Sequence, residues 1–262
     1  MKISIITINF NNSEGLTKTI ESVINQTYSN IEYLVIDGGS VDDSSAIAKS
    51  YKDKISYFIS EPDNGIYHAM NKGIKRSNGD YLLFLNSGDS LINNEIISQV
   101  VENGLTHDLI YGDLLFFDRD KEWTWKLSDD LTFKNFYKGT IPHPSTFIKK
   151  RLFDIVGLYD ESLKIVSDWK FFLLATAKFN CTCKHIPLII TAYNFDGLSS
   201  KPENLKLIEE ERSQVLSEDF SFFVKDYNDL AILRQEMREI KYFIKTRRWL
   251  KNIFKIKNHL KP

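Results

Sequence analysis

KISIITINFNNSEGLTKTIESVINQTYSNIEYLVIDGGS, residues 2–40, has the pattern of a strand, a helix and a second strand. Residues 2–9 are rich in β-branched side chains and are followed by turn-forming asparagines. Apolar residues then recur at helical spacing from Leu16 to Ile24, and strand composition returns at 31–37. This order predicts a βαβ unit with two parallel strands and a right-handed crossover.

The same alternation continues through the first ninety residues. Helical and strand segments follow in the order 44–51, 55–60, 65–77 and 81–86. Nearly continuous apolar strands joined by helices predict a mostly parallel sheet covered on both faces, with ligands beyond the carboxyl ends of the strands.

After Asn94 the pattern loosens, and we expect the acceptor side of the protein there. The predicted elements are a helix near 96–101, a strand at 109–118, a hairpin over 119–127, a helix led by Asp168, a strand at 185–195 and helix beyond Pro202. We therefore expect a domain over 1–200, with halves at 1–92 and 93–200, followed by a helical extension at 201–262.

The composition restricts the class of protein. A 42% hydrophobic and 26% charged chain is typical of a globular fold, and a net charge of −1 argues against a nucleic-acid partner. Cys181 and Cys183 are predicted as buried free thiols on one face of a strand, since no second pair completes a zinc site. The N-terminus lacks signal-peptide features, and no apolar run approaches the ~18 residues of a membrane span.

Acidic residues stand at the ends of three predicted strands. Asp37, Asp63 and Asp89 each lie near a glycine, which permits close approach of a ligand. Any one of them alone is explained by a turn, but three at one sheet edge favour a site. Carboxylates attract a polyphosphate only through a cation, so the edge predicts Mg²⁺ or Mn²⁺, held chiefly by Asp89; the alternative role for Asp89 is a helix cap.

Several stretches of the chain together resemble the family-2 glycosyltransferases of the GT-A fold. They are SIITINFN, QTYSNIEYLVIDGGSVDDS, SEPDNGIYHAMNKGI, NGDYLLFLNSGD and VGLYDESLKIVSDWKFF, in the family's own order. The resemblance implies an α/β GT-A fold with a Rossmann-like, nucleotide-sugar-binding half at 1–92 and an acceptor-side half at 93–200. It also implies a metal-dependent, hexosyltransferase-type enzyme.

The resemblance also implies roles for single residues. Thr7 and Phe10, at the end of the first strand, would line the nucleobase pocket; Asp37 would bond the base or ribose, and Asp63 would approach the nucleotide. Ser87, Gly88 and Asp89 occupy the family's Asp-x-Asp metal motif, from which only the last carboxylate survives. Weak metal affinity without nucleotide follows.

Asp168 resembles the family's general base at the start of a helix. A carboxylate that takes the proton of an acceptor hydroxyl, with a metal stabilising the leaving diphosphate, suffices for inversion by single displacement. A helix N-cap is the alternative role for Asp168. Further donor or acceptor contacts are expected from residues of less specific pattern, namely His68, Asp113, His143 and Trp169, with Trp123 and Trp125 as additional stacking surfaces.

The last residues, IKYFIKTRRWLKNIFKIKNHLKP at 240–262, form a basic amphipathic pattern. We expect either a membrane-surface anchor attracted to anionic lipid or a helix docked on protein. An anchor favours a cytoplasmic enzyme, peripheral on the inner face of the membrane, with a lipid-linked acceptor.

The leading hypothesis is an inverting transferase that moves a sugar from a nucleotide-diphosphate donor to a glycan or lipid-linked acceptor in surface polysaccharide synthesis. The resemblance implies a uridine-linked donor, which the family commonly uses. The degraded metal motif motivates an alternative, a nucleotide-sugar-binding scaffold without catalysis. A dinucleotide-dependent oxidoreductase is disfavoured because NFNNSEG, after the first strand, lacks the Gly-x-Gly-x-x-Gly fingerprint.

Overall fold

The computed structural model describes residues 1–118, 121–194, 197 and 200–258. The chain divides into two compact units, Met1–Arg212 and Ser213–Pro262. Within the described part of the chain, none of the helices has the length and apolarity needed to cross a membrane.

Strands and helices alternate in the first part of the chain, as the pattern predicts. The elements are β1 (Ile3–Asn9), α1 (Ser13–Ile24), β2 (Ile31–Asp37), α2 (Ser44–Ser50), β3 (Tyr57–Ser60), α3 (Ile66–Arg76) and β4 (Tyr81–Asn86). The four strands are parallel in the order β3-β2-β1-β4. Asn9 is in register with Asp37, so the carboxyl ends of β1 and β2 lie side by side.

The second part of the chain completes a mixed sheet. Its elements are β5 (Ser90–Leu91), α4 (Ile96–Glu102), β6 (Leu109–Asp118), β7 (Lys121–Trp125), α5 (Phe133–Lys138), β8 (Thr146–Lys149), α6 (Leu152–Val156), α7 (Ser167–Leu173), β9 (Cys183–Asn194), α8 (Leu205–Asp219) and α9 (Ser221–Asn258). The sheet order continues β4-β8-β6-β9-β5, and β7 pairs with β6.

Strand β8 runs antiparallel to both of its neighbours, β4 and β6. A strand in this direction begins at the edge where the parallel strands end. The 3-10 turn His143–Ser145, which leads into β8, is therefore brought to the carboxyl edge of β4.

The core is formed by apolar residues on both sides of the parallel strands. Ile3, Ile5, Leu34 and Phe84 have at most 1% of their surface exposed. Helix α3 packs against β1 at Gly73, where a Cβ atom would lie 2.5 Å from Cγ2 of Ile6. This close approach explains why a glycine occupies the middle of α3 despite its low helix propensity.

The two cysteines lie at the start of β9. Cys183 begins the strand, whereas Cys181 precedes it, so the prediction that both lie on one strand face was wrong. Their Sγ atoms are 3.8 Å apart, and both are partly buried free thiols.

Candidate active site

A cavity of about 810 Å³ opens at the carboxyl edge of β1 and β4 within the first unit. Seven of the predicted site residues line it: Phe10, Asp63, Ser87, Asp89, His143, Asp168 and Trp169. Asp89 and Asp168, which are 79 positions apart in the sequence (168 − 89), thus face one cleft. Among the described residues, the lining does not include the other four predicted positions, Thr7, Asp37, His68 and Asp113.

Thr7 and Asp37 are both fully buried and do not line the cavity. Thr7 lies inside β1, not at its end, and its hydroxyl is 3.0 Å from that of Tyr33. Asp37 is fully buried and accepts hydrogen bonds from Asn9, from Ser60 and from both the backbone and the hydroxyl of Ser40. Burial opposes ionisation, but these donors outweigh it and lower the pKa of Asp37. The carboxylate holds the loop after β2 in place.

Asp63 forms a salt bridge with Lys72. Its Oδ1 atom accepts a hydrogen bond from Nζ of Lys72, and Nδ1 of His68 is 3.3 Å away. Because Nδ1 of His68 accepts the backbone N–H of Asn64 at 3.2 Å, it carries no proton to give to Asp63. His68 therefore orients the turn before α3.

Asp113 fixes the chain that follows the β6–β7 hairpin. Its Oδ1 atom accepts the backbone N–H of Leu127 at 2.9 Å and lies 2.9 Å from Nε2 of His185. Nδ1 of His185 is in turn 2.6 Å from Asp129. These contacts give Asp113 a structural position at the start of the β6 bulge.

Helix α1 fixes the loop that carries Asp89. Nδ2 of Asn12 donates to the carbonyl of Ser87 at 2.9 Å, and Thr19 Oγ1 donates to the carbonyl of Asp89 at 2.6 Å. Gly88 has a φ of 107°, a region that favours glycine. Helix α4 begins at Ile96 with Glu95 as its cap, so Asp89 does not cap it.

The donor atoms near Asp89 are hard oxygens. The side-chain Oδ1 of Asn86 is buried and finds no hydrogen-bond partner in the described part of the chain. Asn86, Ser87 and Asp89 all line the cavity. Carboxylate, amide and hydroxyl oxygens are the ligands that Mg²⁺ and Mn²⁺ prefer. Among the residues that the structure describes, no three His, Cys, Asp or Glu side chains form a cluster able to hold a metal. The residues fit a cation that shares its coordination with diphosphate oxygens and water.

Asp168 lies in the first turn of α7, and its carboxylate is held from two sides. The Tyr67 hydroxyl is 2.8 Å from Oδ1, and Nδ1 of His143 is 3.0 Å from Oδ2. Burial opposes ionisation, but the hydrogen bonds from His143 and from the hydroxyl of Tyr67 lower the pKa of Asp168. The N-cap of α7 is Val166, so the capping alternative for Asp168 is wrong.

The loop before α7 is held by Glu211 of α8. Its carboxylate accepts the backbone N–H groups of Lys164, Ile165 and Val166 at 2.6, 3.0 and 3.2 Å. Three otherwise unpaired donors are satisfied by one side chain, which fixes the backbone two residues before Asp168.

Aromatic side chains form one wall of the cavity. Phe116, Trp125 and Tyr193 line it, whereas Trp123 stacks on Phe116 at 5.1 Å and is not among the described lining residues. Trp169 also borders the cavity but is 2% exposed, and its Nε1–H donates to the carbonyl of Phe136 at 2.8 Å. Trp169 is chiefly a core residue.

Sequence patterns missed several residues of the site. Tyr67 contacts Asp168, and Asn86 contacts His143. Glu211 binds the backbone before α7, and Lys164 and Arg212 line the same cavity. Tyr67 was detectable only as an apolar position of α3, because its partner Asp168 is 101 positions away. Glu211 and Arg212 lie in a helix whose sequence carries no recognisable motif.

Residues 4–156 match the family described as Glycosyl transferase family 2. An uncharacterised glycosyltransferase of Mycobacterium tuberculosis H37Rv is 34% identical over 207 residues, which cover 77% of this chain and 78% of the relative. A PGL/p-HBAD biosynthesis glycosyltransferase of the same organism is 29% identical over 204 residues, covering 75% and 78%.

Solved structures share the fold. TarS of Staphylococcus aureus, crystallised as residues 1–349 in complex with UDP-GlcNAc, has a TM-score of 0.62 at 18% identity, covering 74% of this chain and 58% of that chain. The mannosyltransferase PcManGT of Pyrobaculum calidifontis, in complex with GDP-Man and Mn²⁺, has a TM-score of 0.61 at 13% identity, covering 86% and 64%. The predicted GT-A fold is confirmed.

Proposed function

Because this chain belongs to glycosyl transferase family 2, we propose that it moves a hexose from a nucleotide-diphosphate sugar to an acceptor hydroxyl with inversion at the anomeric carbon. The observation that carries the proposal is that Asp89 and Asp168 line one cavity. Asp89 would hold the cation at the donor diphosphate, and Asp168 would take the proton of the acceptor hydroxyl.

The donor occupies the edge formed by Phe10, Asp63 and the loop 86–89. Phe10 is 65% exposed and borders the cavity, which suits stacking on a nucleobase. A uridine-linked donor is supported by TarS, whose structure is in complex with UDP-GlcNAc, whereas PcManGT is in complex with GDP-Man. Asp37 and Thr7 are buried and do not contact the nucleotide themselves; they act indirectly, by shaping the loops that do.

Asp89, with Asn86 and Ser87 beside it, would hold Mg²⁺ or Mn²⁺ through oxygen atoms. When bound, the cation neutralises charge that develops on the leaving diphosphate. Lys164 and Arg212 also line the cavity and supply positive charge for an anionic donor. The incomplete Asp-x-Asp motif explains why we expect the metal to bind together with the nucleotide.

Asp168 is the general base. Its side chain is 15% exposed and lines the cavity, so an acceptor hydroxyl can approach it. The two donors Tyr67 and His143 keep the carboxylate ionised and oriented. A base that takes the proton while the anomeric bond breaks permits a single displacement with inversion.

The acceptor lies along Phe116, Trp125 and Tyr193. Aromatic faces bind the apolar face of a sugar ring or the apolar part of a glycolipid, which agrees with a glycan or lipid-linked acceptor in surface polysaccharide or glycolipid synthesis.

The C-terminal helix is proposed to bring the enzyme to an anionic membrane surface at the cytoplasmic face. In α9 the side chains of Ile240, Tyr242 and Phe243 are exposed, next to Lys241 and Lys245. The side chains from 248 onward, which carry much of the basic pattern, lie outside the described residues. Vesicle cosedimentation of the full chain and of a version ending at residue 237 tests the anchor, and equal binding by both would exclude it.

Donor and metal are identified by a thermal shift screen of nucleotide sugars with and without Mn²⁺. With the donor in hand, Asp168→Asn is expected to abolish release of nucleoside diphosphate while donor binding by calorimetry stays within two- to threefold, because the amide cannot accept a proton. The matched control is Asp154→Asn on α6, an exposed carboxylate outside the described lining. Unchanged turnover in Asp168→Asn would refute the assigned base; donor binding without turnover in the native chain would favour the scaffold.

A further inference from the structure

The Tyr67 hydroxyl lies between two acceptors. Its oxygen is 2.8 Å from Oδ1 of Asp168 and 2.5 Å from the backbone carbonyl oxygen of Ile165. Tyr67 is only 5% exposed, so water does not readily replace either partner.

The number of protons in this group of atoms depends on Asp168. A phenol carries one proton, and neither a carboxylate nor a carbonyl supplies another. When Asp168 is ionised, the Tyr67 proton satisfies only one of the two contacts. When Asp168 is protonated on Oδ1, it donates to Tyr67, and Tyr67 donates to Ile165, so that both contacts are hydrogen bonds.

We propose that Tyr67 is a positioning residue whose hydroxyl turns between Asp168 and Ile165 and so stabilises Asp168 both before and after proton transfer. The inference rests on the proposed function, in which Asp168 is the base. Before reaction the hydroxyl donates to the carboxylate; afterwards it donates to the Ile165 carbonyl and accepts from the new carboxylic acid.

The transfer balances without a further reactant. The acceptor oxygen forms a bond to the anomeric carbon, the bond from that carbon to the diphosphate oxygen breaks with its electron pair leaving on the diphosphate, and the acceptor's proton moves to Oδ1 of Asp168. Tyr67 gains and loses no proton overall. Burial raises the pKa of Tyr67 well above 10, so the phenol keeps the proton that it reorients.

The other groups facing Asp168 do not duplicate this function. His143 donates to the second oxygen, Oδ2, at 3.0 Å, and Arg212 contributes positive charge from α8. The Tyr159 hydroxyl is buried and has no hydrogen-bond partner among the residues that the structure describes. The Ile165 carbonyl is held in place because Glu211 accepts hydrogen bonds from the backbone N–H groups of residues 164, 165 and 166.

Tyr67→Phe tests the proposal, with Tyr159→Phe as the matched control. The two rings pack together, with centroids 5.6 Å apart, and both phenols are buried, but only Tyr67 contacts Asp168. The assay is release of nucleoside diphosphate from the donor with water as acceptor, which needs no identified glycan. Melting temperature and circular dichroism verify that each variant folds.

Tyr67→Phe is expected to lower kcat about tenfold, the equivalent of one modest hydrogen bond, with the donor KM within about twofold. The acid limb of its pH–rate profile should shift to higher pH by about one unit, because the ionised form of Asp168 loses a stronger hydrogen bond than the protonated form does. Tyr159→Phe should match the native enzyme in both respects.

An unchanged kcat and acid limb in Tyr67→Phe, or equal losses in both variants, would overturn the inference. Failure of the proposed base is distinguishable, since it would appear as retained turnover in Asp168→Asn. Loss in Asp168→Asn with native behaviour in Tyr67→Phe would reject only the Tyr67 proposal.

Discussion

Nδ1 of His143 lies 3.0 Å from Oδ2 of Asp168, although the two residues belong to different elements 25 positions apart. On the other side of the ring, Nε2 lies 3.2 Å from the amide nitrogen of Asn86. With the amide donating to Nε2, the imidazole is neutral and its remaining proton is directed at the carboxylate. His143 thus connects the loop 86–89 to Asp168, the proposed general base.

Replacing His143 with alanine should reduce donor hydrolysis about tenfold or more and raise the pKa of Asp168, because a hydrogen bond to a charged group is lost from a buried carboxylate. The acid limb of the pH–rate profile should therefore move upward. Steady-state rates across pH measure both effects, and His107→Gln, in the loop before β6, is the control. A native profile in His143→Ala would contradict this prediction.

Asp89→Asn should weaken binding of UDP in the presence of Mn²⁺ by about tenfold or more, because the only carboxylate of the metal motif is neutralised. Isothermal titration calorimetry with and without Mn²⁺ measures the difference. The native enzyme in EDTA and the variant in EDTA should bind UDP alike. If the variant retains the full gain in affinity from Mn²⁺, Asp89 is not the metal residue.

Trp125→Ala should raise the acceptor KM by up to about tenfold while leaving donor hydrolysis by water unchanged, since a stacking surface of about 0.5–1.5 kcal/mol is removed. Trp123→Ala is the matched control, because Trp123 is on the same strand and stacks on Phe116 but is not among the described lining residues. Equal KM changes in the two variants would place the acceptor elsewhere.

The parallel half of the sheet was predictable because its signal is local. The apolar spacing of α1 and the β-branched run of β1 are each contained in a dozen residues. The position of His143 was not predictable in this way, since it depends on β8 running antiparallel between β4 and β6. A histidine before a proline gives no indication of the strand direction that follows.

Asp37 illustrates a second limit. Its place at the end of β2 was read correctly, but the direction of its carboxylate depends on Asn9, Ser40 and Ser60, which the fold brings together. Sequence patterns locate the sheet edge, whereas the hydrogen-bond partners decide which carboxylates remain available there.

Glu32 gives a stability prediction that is independent of catalysis. Burial opposes its ionisation, but hydrogen bonds from Ser4, Asn78 and Lys2 outweigh burial and lower its pKa to about 2. A depressed pKa stabilises the folded state fully above the unfolded value of 4.5, and this contribution is lost as the pH falls through about 2.

Glu32→Gln should therefore lower the free energy of unfolding at pH 7 by roughly 1–3 kcal/mol. The deficit should shrink as the pH falls from about 4.5 towards about 2, because the carboxylate of the unfolded chain is protonated in this range while the native carboxylate stays ionised. Urea unfolding at several pH values measures it, with the exposed Glu102→Gln as reference. A deficit that is constant from pH 7 to pH 3 would show that charge is not its source.

The three backbone N–H groups gathered by Glu211 set a lower limit on how short a working form of this enzyme can be. A chain cut where the sheet pattern ends would retain Asp89 and Asp168 and still lose the Glu211 side chain that secures the peptide units preceding Asp168. We therefore expect an excised portion of this chain to keep the loop before α7 in place only if it extends at least through Glu211.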